Sequence, residues 1–366
     1  MKQTIPYTNL AFQTTGIKTE LLAAVEEVLD SGHYILGPQV LEFEKQFASY
    51  CHAKHSVGVA NGTSSLYLVL KAIGVKEGDE VITAPNSFIA SASSIALTGA
   101  KPVFVDIRND MNIDPDKIQS AITPSTKAII PVHLTGRPAP MNEIMEIARK
   151  YNLFVLEDAA QAVGAKLNGK IVGSWGDAAS FSLHPLKNLF AYGDAGIITT
   201  QHQYIYEKMM RSRNHGLKNR NDCEFFSFNE RLDELHAAML LVQLKYLNQW
   251  TEQRRQRAFK YNENLRDYVM VPEEGPDEYC VYQTYMIQAD NRDELLNHLN
   301  ASGVDAKVHY PTPLYLQEAA RYLNYKENDF PETLKINSKI LSLPMHHSMT
   351  PDQQDYVIEQ IRKFYG

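Results

Sequence analysis

The stretch Ser180–Leu189, SFSLHPLKNL, sets one lysine, Lys187, among apolar residues and directly before an asparagine. Lysine is seldom buried, so taken alone Lys187 is a solvated surface residue. Taken as chemistry, an apolar setting lowers the pKa of an amine and frees it to act as nucleophile or base. Two other short stretches have residues of the right type. NGTSS, residues 61–65, lies where an apolar run ends and a helical pattern begins. There Gly62 permits a tight turn, and Thr63 and Ser64 offer hydroxyls beside free helix N–H groups. That makes either an anion site suited to a phosphate or a plain helix cap. LEDAAQA puts Asp158 at the carboxyl end of an apolar run, where ligands of open α/β sheets collect. A carboxylate there pairs with a cationic ligand nitrogen or a metal, or caps the following helix. Glu157, one residue earlier, should face the other side of the strand. His184, three residues before Lys187, is either a turn histidine or part of the same site.

These residues need elements to position them. From about residue 55 to 200, β-rich runs (HSVGVA, EVITAP, KPVFVD, TKAIIPV, LFVLEDA) alternate with helical patterns (SLYLVLKAI, IASASSIAL, IDPDKIQSAI, PMNEIMEIARKY). The runs are continuously apolar, as in parallel strands covered on both faces, which predicts an α/β fold with a large, doubly wound, mostly parallel sheet. AASFSL and GIITT add two strands on either side of the lysine stretch. RLDELHAAMLLVQLKYL has apolar residues at helical steps along one long helix, continued by the charged TEQRRQRAFKYNENLRDY. Beyond it, CVYQTYMIQA predicts a strand, NRDELLNHLNASG a helix stopped by Gly303, and TPDQQDYVIEQIRKF a helix capped by Thr350. The expected division is a large domain over 1–248 and a small α+β domain over 249–366.

Other chemistries find little support. The net charge of −7, with no basic block, argues against nucleic acid as partner. No signal-peptide core and no run of 18 apolar residues occur, so no membrane partner and a cytoplasmic location are expected. Three separated cysteines, Cys51, Cys223 and Cys280, are expected to be packed thiols rather than a disulfide framework. The twelve histidines show no metal-ligand spacing, and no metal is expected. GAKLNGKI approaches a phosphate-binding P-loop, but Ile171 stands where magnesium needs a hydroxyl, and LNGK is a better hairpin turn. No nucleophile-elbow motif supports a hydrolase. A nicotinamide enzyme would need a glycine-rich fingerprint that NGTSS lacks.

A phosphate-binding helix start, a strand-end carboxylate for a ring cation and a lysine in apolar company together suit pyridoxal phosphate (PLP). The chain also resembles the DegT–StrS group of sugar aminotransferases, which are fold-type I PLP enzymes. The matching stretches include GHYILGPQVLEFEKQFASY, NGTSSLYLVLKAIG, GDEVITAPNSFIAS, LEDAAQAVGA, SFSLHPLKNLFAYGDAGIITT and VHYPTPL. The resemblance implies that Lys187 carries PLP as a Schiff base and then moves a proton. Asp158 would hold the pyridinium protonated, and Gln161 would bond the phenolic oxygen. Thr63, Ser64 and Ser182 would hold the phosphate, and Phe88 would stack on the ring, its alternative being core packing. Asn229 would reach the phosphate from the other subunit of a homodimer. Glutamate would be the amino donor and a keto-sugar the acceptor. That sugar is either nucleotide-linked or a free keto-sugar acid such as an oxidised octulosonate, for lipopolysaccharide or another surface polysaccharide. Phe190 and Ala195 depart from the family pattern close to where a sugar would bind. Arg137, Lys218, Arg220, His309 and Tyr310 are candidates for its anionic groups. Relatives with histidine in place of the lysine are sugar dehydratases, but Lys187 is intact here; a non-catalytic regulator of the same fold is the other alternative.

Overall fold

A computed structural model describes residues 4–366. Its main sheet has seven strands: β1 His55–Val59, β2 Glu80–Thr83, β3 Lys101–Phe104, β4 Thr126–Ile130, β5 Phe154–Asp158, β6 Ala178–Ser182 and β7 Gly196–Thr200. Their order is β1-β7-β6-β5-β4-β2-β3, and β7 alone runs against its neighbours. Successive residues of a strand serve opposite faces. Val81, Ala128, Ile130 and Leu156 fill one core, while Ile82, Ile129 and Val155 fill the other. Both faces are thus covered, which is why the runs are continuously apolar.

Helix α1 spans Lys18–Ser31 and α2 spans Pro38–Tyr50; the crossovers carry α3 Gly62–Ala72, α4 Ile89–Ala96, α5 Pro115–Ala121 and α6 Met141–Tyr151. The LNGK turn is the expected hairpin: Lys166–Leu167 pairs with Lys170–Ile171, and Asn168 and Gly169 both take positive φ. The long helical pattern divides into α7 Glu234–Leu244 and α8 Leu247–Leu265, with a turn at Lys245–Tyr246 where one helix was expected. Leu232, expected inside that helix, instead packs over Gly58 of β1, where a β-carbon would lie 2.8 Å from its Cδ2.

The α8 helix gives Leu247 to the core around the main sheet, and Ala258, Tyr261 and Leu265 to a second core. A division at residue 248 falls in its first turn. The second core is built by strands Tyr285–Gln288 (β8) and Ile340–Leu343 (β9), paired antiparallel, and by helices α9 Arg292–Ala301 and α10 Pro351–Tyr365. Gly303 follows α9 with φ +83°, and Thr350 caps α10 reciprocally with Gln353, as their types predict. Only Tyr285–Gln288 of CVYQTYMIQA is a strand; Cys280–Thr284 turns away, with Tyr282 at φ +45°. Ile5 also belongs to this second core, bridging to Val304.

Cys51 and Cys280 are packed thiols, but Cys223 is exposed at the end of the hairpin Leu217–Cys223, against expectation. A two-stranded hairpin has no second layer to cover it. Among the described residues, no helix is long and apolar enough to cross a membrane, and no group of three or more histidines, cysteines or carboxylates is arranged to hold a metal.

Candidate active site

The chain passes from β6 to antiparallel β7 through a loop whose ends are sunk in the core: Leu183, Leu189, Phe190 and Ala191 are buried. This anchoring presents Lys187 at the carboxyl edge of the sheet. The Lys187 N–H donates to His184 O (2.9 Å), and the Leu186 N–H donates to His184 Nδ1 (3.2 Å). His184 therefore shapes the turn, and with Nδ1 accepting, its neutral ring carries the proton on Nε2. Burial, then the Lys187 charge, holds its pKa below the ordinary value. Leu186 is 43% exposed, so the apolar company of Lys187 lies beneath the loop rather than beside it. Phe190 and Ala195, expected near a sugar, are buried in the core and so act on the site only through the shape of the loop.

Burial lowers the Lys187 amine to about 8, against the opposing pull of the Asp158 carboxylate. Asp158 ends β5 and is itself buried. Its Oδ2 accepts from Ser91 Oγ (2.7 Å) and its Oδ1 from the Ala160 N–H (3.2 Å). Burial holds this carboxyl above the usual range, with Ser91, the Ala160 N–H and the Lys187 charge pulling it down. A buried carboxylate with lone pairs to spare suits a cationic ring N–H. Glu157 faces the other way, as its place in the strand requires. It accepts from the N–H groups of Gly173, Trp175 and Gly176 and lies 3.1 Å from His133 Nε2.

The phosphate site is a contact between two backbones. A β-carbon on Gly62 would lie 2.8 Å from Ser182 Cβ, and one on Gly196 would lie 2.5 Å from Asn61 C and O. Glycine at both positions lets the start of α3 abut the ends of β6 and β7. Asn61 Oδ1 already accepts the Ser64 N–H (2.8 Å), so Ser64 is left with its hydroxyl. The N–H groups of Gly62 and Thr63 have no partner within the helix, Thr63 and Ser64 bring hydroxyls to the same first turn, and Ser182 abuts Gly62. An anion fits this cradle.

The remaining wall converges from distant segments. Gln161 Oε1 accepts the Thr135 N–H (2.7 Å), turning its Nε2 toward Tyr310 Oη (3.4 Å). Phe88 is 52% exposed with its ring centroid 5.7 Å from that of Tyr310. It is not core packing, so a flat ligand has a face to lie on. Lys187, Asp158, Gln161, Phe88, Thr63, Ser64 and Ser182 thus collect at one end of the sheet. The side chain of Asn229 is exposed on a segment whose next residue, Glu230, accepts the Ala60 N–H through its main chain. Arg137 is engaged with Glu278 (2.7 Å), and Lys218 and Arg220 lie on the exposed hairpin. Ser91, Thr135 and His133 were not singled out by sequence. The serine-rich start of α4 was the available signal for Ser91; the others only the folded chain reveals.

The model of the DegT/DnrJ/EryC1/StrS aminotransferase family matches residues 15–362. A pleiotropic regulatory protein of Geobacillus stearothermophilus is 45% identical over 99% of this chain and 98% of its own. A dTDP-3-amino-3,6-dideoxy-α-D-galactopyranose transaminase of Aneurinibacillus thermoaerophilus is 41% identical over 98% and 99%. The crystal structure of Streptomyces venezuelae DesV in complex with a ketimine intermediate superimposes with TM-score 0.96 at 37% identity, covering 99% of this chain and 98% of that one. NtdA of Bacillus subtilis, solved with bound cofactor PMP, superimposes with TM-score 0.92 at 32% identity over 98% and 85%. A fold shared with these enzymes, a family model over nearly the whole chain and a lysine facing a buried aspartate beside an anion cradle agree: the chain belongs to the DegT/DnrJ/EryC1/StrS family and is a PLP-dependent aminotransferase.

Proposed function

We propose that the enzyme moves an amino group from glutamate to a nucleotide-linked keto-sugar, giving 2-oxoglutarate and an amino-sugar. The observation that carries this reading is the half-buried Lys187, lowered to about 8, opposite a buried Asp158. At pH 7 such an amine is neutral in roughly a tenth of molecules, a few hundred times the share of an ordinary lysine. PLP, when bound, supplies an electron sink that makes the substrate carbon acidic. Asp158 Oδ2, fixed by Ser91, would keep a proton on the ring nitrogen. Lys187 Nζ would act as the base that takes the proton from the substrate carbon and as the acid that returns it. Gln161, with its amide oriented by Thr135, would donate Nε2–H to the phenolic oxygen. Gly62, Thr63, Ser64 and Ser182 would hold the phosphate, and Phe88 would lie against the ring. Tyr310, beside Gln161 and Phe88, and the exposed His184 are left as candidates to meet the substrate.

The sugar class is supported by relatives named as dTDP- and UDP-sugar transaminases. A ketone on such a sugar has to be made by a preceding oxidation or dehydration, so a reaction of that class supplies the substrate. We also propose a homodimer in which Asn229 completes the partner's phosphate site. Phe226 and Phe228, on the segment bearing Asn229, are exposed in the single chain, an apolar surface that suits burial against a second copy.

The test is direct. PLP-loaded protein should turn to the amine form with L-glutamate, releasing 2-oxoglutarate, and with dTDP-3-amino-3,6-dideoxy-α-D-galactopyranose in reverse. Lys187→Ala should abolish both, and transamination that survives this substitution sinks the assignment. Protein that stays colourless with added PLP would favour a regulator instead.

A further inference from the structure

Both flanks of Lys187 are tied to one turn from the C-terminal part of the chain. Gln283 Nε2 donates to Leu186 O (3.1 Å), the carbonyl of the peptide bond that enters Lys187. On the other side, Asn188 Nδ2 donates to Val281 O (3.1 Å). The turn Cys280–Thr284 is itself fixed: Val281 N–H donates to Gly136 O (2.9 Å), and Thr284 N–H to Thr135 O (3.3 Å). Arg255 and Arg254 donate to the carbonyls of Cys280 (2.8 Å) and Tyr282 (3.3 Å). Thr135 in turn gives its N–H to Gln161. One turn therefore sets both the lysine and the glutamine of the site.

A run of donors reaches the same peptide from the N-terminal segment. Tyr7 Oη donates to Thr284 Oγ1 (3.5 Å), Thr284 Oγ1 donates to Gln283 Oε1 (3.1 Å), and Gln283 Nε2 donates to Leu186 O. Every donor in the series points toward Lys187. Tyr7 is placed by the Ile5–Val304 bridge, by its own N–H to Asp305 Oδ2 (3.3 Å) and by its ring against His309 (5.2 Å). The Tyr7 link is the longest and the weakest.

We propose that Gln283 and Tyr7 are positioning residues for Lys187, acting in series on the Leu186–Lys187 peptide. Neither touches the reacting atoms; they hold the base of a side chain whose tip must meet both a cofactor and a substrate carbon. Small displacements of such a group cost rate steeply. The inference rests on the aminotransferase reading for its effect on rate, but not for its effect on the loop.

The experiment compares native protein with Gln283→Met, Tyr7→Phe and the double variant, PLP-loaded and with the cofactor removed. Hydrogen exchange of the peptide spanning 184–190 reads the loop, because the Lys187 amide is bonded to His184 O. Gln283→Met should speed that exchange by about fivefold or more with the rest of the chain unchanged, and slow the glutamate half-reaction about tenfold. Tyr7→Phe, which keeps its ring on His309, should do the same more weakly, about threefold. In the double variant the effect should equal that of Gln283→Met alone, because links in series do not add. Unchanged exchange at 184–190 in Gln283→Met overturns the proposal, as do additive effects, or a loss of protection spread over the whole chain with a lowered Tm. If native enzyme takes no amine from glutamate, the transaminase reading fails while the exchange result still decides this one.

Discussion

Lys187 and Asp158 oppose one another in a way that can be titrated. Capture of PLP needs the neutral amine, so uptake by cofactor-free protein should rise about tenfold per pH unit below about 8 and level off above it. The Asp158 charge favours the protonated lysine, while burial disfavours it. Removing the charge in Asp158→Asn lets burial act unopposed and should move the midpoint below 8. Stopped-flow absorbance would measure both, and a native midpoint near that of free lysine would mean the amine is not desolvated at all. These two residues were legible because their types are costly in their settings. A lysine before buried residues and a carboxylate at a strand end stand out in one dimension. Gln283 did not, since nothing in its neighbours shows that its amide ends on the carbonyl beside Lys187.

The start of α3 shows how backbone, more than side chain, forms an anion site. Ala for Gly62 would bring a β-carbon within 2.8 Å of Ser182 Cβ, which no rotamer change can move aside, so helix start and strand end must part and the cradle open. We expect Gly62→Ala to weaken PLP binding by about tenfold or more while costing only about 1–3 kcal/mol of stability. Fluorescence titration against thermal unfolding would separate the two, and undiminished affinity would show that the phosphate lies elsewhere. At this scale the strands of the main sheet were legible, because covering both faces demands unbroken apolar runs. Two stretches misled for the same reason: local pattern does not show where the chain turns. CVYQTYMIQA is apolar enough for a strand throughout, yet five residues turn toward the site before Tyr285 begins to pair. The α7–α8 break at Lys245–Tyr246 has no proline or glycine to mark it.

For the whole molecule, the sharpest consequence of the proposed shared site is complementation. Lys187→Ala and Asn229→Ala protomers, each impaired alone, should on mixing and reassociation regain about a quarter of native activity, because half of the dimers are hybrids with one of two sites intact. No recovery in a dimer that demonstrably exchanges subunits would place Asn229 outside the partner's site. The role of Asn229 is an expectation from the family resemblance; the pairing of Ile5 with Val304 is not legible in sequence, since it joins residues that no local pattern connects. The second of these bears on how the protein is made. Ile5 is made before the main sheet's strands, and Val304 and Asp305, to which the Ile5–Tyr7 segment bonds, come after them. Such distant partners join late. The segment bearing Tyr7 is thus made before its partners yet docks only after them, and the lysine loop that its donors reach should tighten only once both are in place.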